Sequence, residues 1–251
     1  MRLKDRVAIV TGGAKGIGRA SALELAREGA KVVVGDIDRA EGERTAFEIV
    51  EKGGTARFIH ADTSDYESVE GLVKETIRSF GRLDIMFNNA GIGNPPVSVL
   101  DMPPEEYHRT VAVNQHGVFY GIKAAGNAMK EKGGVIINTA SVYGFFADRR
   151  HFPYHASKGA VVMMTKAAAL ELARYNIRVV AVAPGLVDTE IVAPWKQRPD
   201  LWRTVEKAQM RGRVAKPEEV AKAVAFLASD DASFVNGSVL FVDDGAASFK
   251  R

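Results

Sequence analysis

No cysteine occurs in the 251 residues, which excludes disulfides, thiolate catalysis and cysteine-held zinc. The same absence fits a reducing compartment, and a cytoplasmic location is the expectation. No apolar run approaches the length of a bilayer span. Met1 to Arg6 leads straight into an apolar stretch, so neither a signal peptide nor a membrane association is expected. Basic residues number 34 and acidic ones 31, and the net charge of +3 is scattered. A nucleic-acid partner is therefore not expected. The five histidines are dispersed, and no metal site is anticipated among them. Repeats, low-complexity tracts and linkers are missing too, so residues 1–251 read as one domain.

What is there is a globular composition, 46% apolar and 26% charged. Short β-rich runs alternate with longer helical patterns. The strand candidates are Val7–Val10, Lys31–Asp36, Thr55–Ala61, Leu83–Asn88, Gly134–Thr139, Ile177–Ala183 and Ser238–Val242. Unbroken apolar runs suit strands covered on both faces. Their alternation with helices predicts an α/β fold, a doubly wound parallel sheet of Rossmann-like kind.

The first strand runs into Thr11-Gly12-Gly13-Ala14-Lys15-Gly16-Ile17-Gly18, ahead of a helical pattern over Ile17–Arg27. Glycines between a strand and a helix allow close backbone approach, and the helix N-terminus offers free N–H groups to a phosphate. The spacing, Gly-x-x-x-Gly-x-Gly, departs from the general dinucleotide fingerprint. A tight turn without a ligand is the plainer alternative. Asp36 closes the second strand 18 residues after Gly18. A carboxylate there can accept hydrogen bonds from both adenosine ribose hydroxyls and repel a 2′-phosphate, which favours NAD over NADP. Asp36 and Asp38 also precede a helical pattern, and Asp38 is the better N-cap. Lys15 cuts the other way, since a cation in the glycine loop could meet a 2′-phosphate.

Tyr154 and Lys158 lie four residues apart. On a helix that spacing puts phenol and ammonium on one face. A free tyrosine titrates near pH ~10, too high for efficient proton exchange at neutrality. A neighbouring cation favours the phenolate and lowers that value. An amphipathic helix with a surface lysine is the plain alternative.

Together the glycine motif, Asn88-Asn89-Ala90-Gly91 after the fourth strand and the Tyr154/Lys158 pair resemble the short-chain dehydrogenase/reductase family in its classical branch, over essentially the whole chain. The resemblance implies an active site of Asn114, Ser141, Tyr154 and Lys158, with Ser141 13 residues before Tyr154 and Asn114 27 before Ser141. It implies that Tyr154 is the general acid/base, that Ser141 holds the substrate oxygen, and that Lys158 also binds the nicotinamide ribose. Asn114 would hold a water in a relay to Lys158. Asp62, with Thr63, would meet the adenine; Asn89 and Ala90 would line the adenosine side. Pro184-Gly185, Val187 and Thr189 match the motif beside the nicotinamide carboxamide, although Thr189 could equally be an N-cap. Val242-Asp243-Asp244-Gly245 departs from the commoner Val-Asp-Gly-Gly, and Asp244 brings the local turn geometry into question. The enoyl-reductase branch spaces its tyrosine and lysine more widely, so C=C reduction is disfavoured.

The expected activity is hydride transfer between NAD(H) and a secondary alcohol or ketone, with a small-molecule substrate. Two rivals are a 3-oxoacyl thioester reductase, against which Asp36 speaks, and a non-enzymatic nucleotide sensor, against which the complete tetrad speaks. Residues 94–97, 143–152 and 186–202 are the candidate pocket, with Tyr143, Phe145, Phe146, Phe152, Ile191 and Trp195 as apolar lining. Arg149, Arg150 and His151 stand near the mouth. Residues 186–211 mix apolar anchors (Ile191, Trp195, Leu201, Trp202, Met210) with a dense polar face. They are expected to form a substrate lid, a permanently docked helix being the alternative. Helical stretches Val111–Glu131 and Tyr154–Arg174 carry small apolar residues on more than one face, so a homotetramer or homodimer is expected.

Overall fold

The computed structural model describes residues 1–248. In chain order it contains β1 (Val7–Thr11), α1 (Gly16–Arg27), β2 (Lys31–Asp36), α2 (Arg39–Glu51), β3 (Thr55–His60), α3 (Tyr66–Phe80), β4 (Ile85–Asn88), α4 (Pro104–Val111), α5 (Gly117–Met129), β5 (Gly134–Thr139) and α6 (Phe152–Leu172). It continues with β6 (Ile177–Pro184), two short helices α7 (Ala193–Lys196) and α8 (Pro199–Glu206), α9 (Pro217–Ala228) and β7 (Val239–Val242). The strands form one sheet of order β3-β2-β1-β4-β5-β6-β7. Every pairing is parallel. This is the doubly wound, Rossmann-like sheet that the alternation of elements predicts.

Successive side chains of a strand point to opposite faces, and β1 shows both faces filled. Ala8 and Val10 join a core with Leu25 of α1, Ile49 of α2 and Val224 of α9. Ile9 joins the opposite core with Leu72 of α3, Ala125 and Met129 of α5, and Ala169 of α6. All five residues of β1 and all four of β4 are buried. The edge strands β3 and β7 have no fully buried residue.

Local chemistry sets the helix starts. Asp38 accepts from the Glu41 N–H at the head of α2, and Asp65 accepts from Glu67 and Ser68 at the head of α3. The stretch expected as one helix over 111–131 divides instead. A π turn over Ala112–His116 joins α4 to α5. Such turns admit an extra residue into the helix and recur at functional sites. Sequential strands change direction of winding between β1 and β4, so the crevice outside their carboxyl ends is where ligands bind in such sheets.

Candidate active site

The carboxyl ends of β1, β4, β5 and β6 surround this crevice, and each contributes to it. Lys158 rises from α6 into the sheet edge, where its ammonium donates to the main-chain carbonyl of Thr139, the last residue of β5, at 2.7 Å. The side chain is almost sealed, 3% exposed. Its nitrogen lies 5.6 Å from the centre of the Tyr154 ring. The i,i+4 spacing therefore does bring the pair to one place. Ser141, two residues beyond β5, is buried and accepts from the Tyr143 N–H at 3.2 Å. Asn114 sits in the π turn, fully buried. Its carboxamide closes a two-way bond with the main chain of Ile92: Oδ1 accepts from the Ile92 N–H at 2.8 Å and Nδ2 donates to its carbonyl at 2.9 Å. Gly91 separates the two groups; a Cβ there would stand 3.3 Å from Asn114 Oδ1 and 3.6 Å from Lys158 Nζ.

Burial governs the electrostatics. It draws the Lys158 ammonium down from the ordinary 10.5 to about 8. It also pushes the Tyr154 phenol above its usual value, while hydrogen bonding with the Ser141 hydroxyl pulls the other way. Sequence reasoning foresees a lysine that depresses the tyrosine. Desolvation dominates instead, and each group is moved toward its uncharged form.

The glycine loop is built for close approach. Gly12 has φ +62°, and a Cβ on it would lie 2.8 Å from the Ala90 Cα. A Cβ on Gly18 would stand 1.9 Å from the Gly12 carbonyl oxygen, so the first turn of α1, with Ile17, can press against the loop only as glycine. Gly16 abuts Thr189, whose Cγ2 would be 3.1 Å from an added Cβ. Thr189 occupies the N-cap position of the 3-10 turn over Glu190–Val192 but makes no cap bond with its side chain. Asp36 ends β2 beside this loop. One of its oxygens accepts from the Ala14 N–H at 3.0 Å, the other from the Asp38 N–H at 2.9 Å. Asp38 is the N-cap, as expected, and it also holds the Lys15 ammonium at 2.7 Å.

Asn89 turns back on the loop, its amide donating to the carbonyls of Thr11 and Gly12. Thr11 Oγ1 accepts from the N–H groups of Asn89 and Ala90. Asp62 is exposed and accepts from both the N–H and the hydroxyl of Ser64. Thr63 is buried against Gly117 of α5. Gly185, after buried Pro184, donates its N–H to Val242 at 3.1 Å. Val187 is buried and bridged to Ala215. Thr11, Thr139 and Ile92 escape sequence reasoning. Thr139 and Ile92 act through main-chain atoms, which carry no side-chain signature, and only the position of Thr11 before the glycines hinted at it.

Around Tyr154 the rings gather. Tyr143 lies 6.3 Å from Tyr154, 5.5 Å from Phe146, 4.6 Å from His155 and 6.2 Å from His151, centre to centre. His151 in turn lies 6.1 Å from Trp195 of α7. Two aromatics expected in the pocket turn elsewhere. Phe145 packs 4.7 Å from Phe241 of β7, and Phe152 lies 6.3 Å from Tyr107 of α4. Arg149 and Arg150 are exposed. Residues 186–211 form a 3-10 turn, α7 and α8; the Leu201 side chain lies outside the described residues. Asp244 adopts φ +50°, the left-handed conformation that the glycine of the commoner motif would take freely. Its carboxylate receives both the Arg211 N–H at 2.6 Å and the guanidinium at 2.5 Å. The altered residue thus keeps the turn and ties it to the far end of the 186–211 segment.

A family model described as enoyl-(acyl carrier protein) reductase matches residues 12–247. The cyclopentanol dehydrogenase of Comamonas sp. (strain NCIMB 9872) is 41% identical over 97% of this chain and 98% of its own. The cyclohexanol dehydrogenase of Acinetobacter sp. (strain SE19) is 39% identical over 99% and 97%. Among solved structures, levodione reductase superposes with a TM-score of 0.94 at 36% identity, over 99% of this chain and 100% of that one. A helix lysine anchored on a strand end beside a tyrosine and a serine, on a doubly wound sheet shared with these oxidoreductases, leads to one assignment: the chain belongs to the short-chain dehydrogenase/reductase family.

Proposed function

We propose that this chain is an NAD-dependent dehydrogenase of secondary alcohols, cyclic ones above all, working in reverse as a ketone reductase. The observation that carries the reading is the buried Lys158 ammonium, fixed on Thr139 and set against the Tyr154 ring. The glycine loop and Asp36 fit a dinucleotide: a Cβ at Gly12 or Gly18 would fill the cradle. Asp36, held by two N–H groups, presents an oriented carboxylate where a ribose 2′,3′-diol would be read. Lys15 does not argue for NADP while Asp38 engages it.

The nicotinamide supplies hydride exchange when bound; the protein supplies the proton path. Ser141 donates its hydroxyl to the substrate oxygen and sets it beside Tyr154. In oxidation the Tyr154 oxygen takes the alcohol proton; in reduction its O–H returns a proton to the developing alkoxide. Lys158 stabilises the phenolate form as the proton moves. Asn114 fixes Ile92 and the π turn, and through them the floor beside Lys158. The four-residue Tyr–Lys spacing favours carbonyl over enoyl substrates. Relatives named for cyclopentanol and cyclohexanol point to a compact alicyclic ring, which the aromatic walls suit. Residues 186–211 are proposed as the cover.

The test is NADH production from a panel of cyclic and open-chain secondary alcohols, with NADP in parallel. Turnover of cycloalkanols with NAD is expected. Tyr154→Phe should lose at least about a hundredfold in kcat, the scale of a general acid/base group, with its circular dichroism unchanged. Near-normal turnover in that variant refutes the mechanism.

A further inference from the structure

His151 differs from its near neighbour His155 in the aromatic cluster. His155, four residues on, uses both ring nitrogens: Nε2 accepts from the Asp148 N–H at 3.0 Å, and Nδ1 lies 3.1 Å from the Tyr143 carbonyl. The Tyr143 hydroxyl is directed at Asp148. The His151 imidazole, half-buried, lies against rings, stacked on Tyr143 at an interplanar angle of 22° and 6.1 Å from Trp195. Among the described residues no hydrogen-bond partner meets either of its nitrogens. A half-buried polar group without a protein partner can exchange its bonds to water for bonds to a ligand. This one stands one ring away from Tyr154, between the post-β5 turn and α7. Burial and the neighbouring His155 hold the imidazole below its ordinary pKa against the pull of Asp148, so at neutral pH it offers one donor and one acceptor.

We propose that His151 forms a second polar subsite for the substrate, binding an uncharged oxygen function, a hydroxyl or ketone, carried across the ring from the reacting carbon. The inference rests on the dehydrogenase reading above and names the substrate class: an alicyclic diol or hydroxyketone rather than a plain cycloalkanol. Tyr143 and Trp195 supply the apolar walls for the ring carbons. His151 supplies the oriented contact, the arrangement by which a mostly apolar pocket gains specificity.

The experiment compares kcat/KM for cyclohexane-1,4-diol with that for 4-methylcyclohexanol, which has similar shape and lacks the second oxygen. The wild type should favour the diol by about tenfold or more, the value of one good hydrogen bond near 1.4 kcal/mol. His151→Phe keeps a ring on Tyr143 and should abolish this preference. His151→Gln, which can still donate and accept, should recover part of the diol preference. Melting temperatures of both variants establish that they fold. A diol preference absent from the wild type, or undiminished in His151→Phe, overturns the subsite. If neither compound is oxidised with either cofactor, the dehydrogenase reading fails instead. The subsite is then read by calorimetry of diol and methyl compound binding to wild type and His151→Phe, and equal affinities overturn it.

Discussion

Replacing Lys158 by methionine separates the cost of burying an ammonium from the chemistry it serves. Burial lowers its pKa from 10.5 to about 8. At ~1.36 kcal/mol per pH unit of displacement, that difference corresponds to about 3 kcal/mol. The unfolded chain keeps this proton up to the ordinary lysine value, whereas the folded chain releases it near 8. Between those limits the unfolded state binds more protons, so folded stability rises with pH. Below about 8 the full penalty is present; above 10.5 it has gone. Tyr154, whose pKa is raised by burial, acts oppositely at higher pH, because the unfolded phenol ionises first. With Tyr154→Phe carried in both proteins, that contribution drops out of their difference. In that background the stability of the Lys158 protein minus that of Lys158→Met should therefore climb by about 3 kcal/mol from neutral pH to the upper limit. Near neutrality the two should be close, since the variant strands the Thr139 carbonyl at a cost of ~1–3 kcal/mol. Urea unfolding at fixed protomer concentration, followed by far-UV circular dichroism, measures this. Tryptophan fluorescence is less suitable, because both tryptophans, Trp195 and Trp202, lie in the 186–211 segment. A difference that stays flat with pH refutes the assignment of a costly buried charge.

Asp36→Ala should lower the NAD-to-NADP ratio of kcat/KM by at least about tenfold, by removing both the diol acceptor and the charge facing a 2′-phosphate; an unchanged ratio defeats that role. Residues 186–211 should exchange amide hydrogens quickly in the free protein and slowly with NAD and a substrate analogue, and Trp195→Ala should alter substrate preference more than NAD affinity. Equal slow exchange in both states would make the segment plain scaffold. Met163 and Leu170 on α6 are 61% and 83% exposed, Phe119 on α5 is 48% exposed, and Phe241 on β7 is 40% exposed. These apolar surfaces call for cover, so light scattering should give a homotetramer or homodimer; a monomer at micromolar concentration counts against it.

The inner strands were legible because both of their faces are covered: Val-Ala-Ile-Val-Thr over β1 needs no polar alternation. The meeting of Tyr154 and Lys158 was legible because a four-residue spacing brings two side chains to one helix face. The π turn was not, since a shift of one backbone hydrogen bond leaves no glycine or proline behind, and Ala112 to His116 read as ordinary helix. Nor could the sequence aim the rings of the loop before α6. Phe145 and Phe152 stand as close to Tyr154 along the chain as the true members of the cluster, and the turn sends them to Phe241 and Tyr107. The fate of Lys15 was likewise undecided until folding placed Asp38 beside it.

The anchoring of Lys158 on Thr139 has a consequence for how such an enzyme can change. Lys158 is held by the last carbonyl of a central strand, and β5 is locked in register on both sides, to β4 and to β6. On the proposed mechanism the catalytic pair is thus referenced to the sheet, while the rings proposed to meet substrate hang from the turn after β5 and from α7. Descent with modification can then rewrite what is recognised, residue by residue through Tyr143, His151 and Trp195, without disturbing the coordinate frame in which the proton moves.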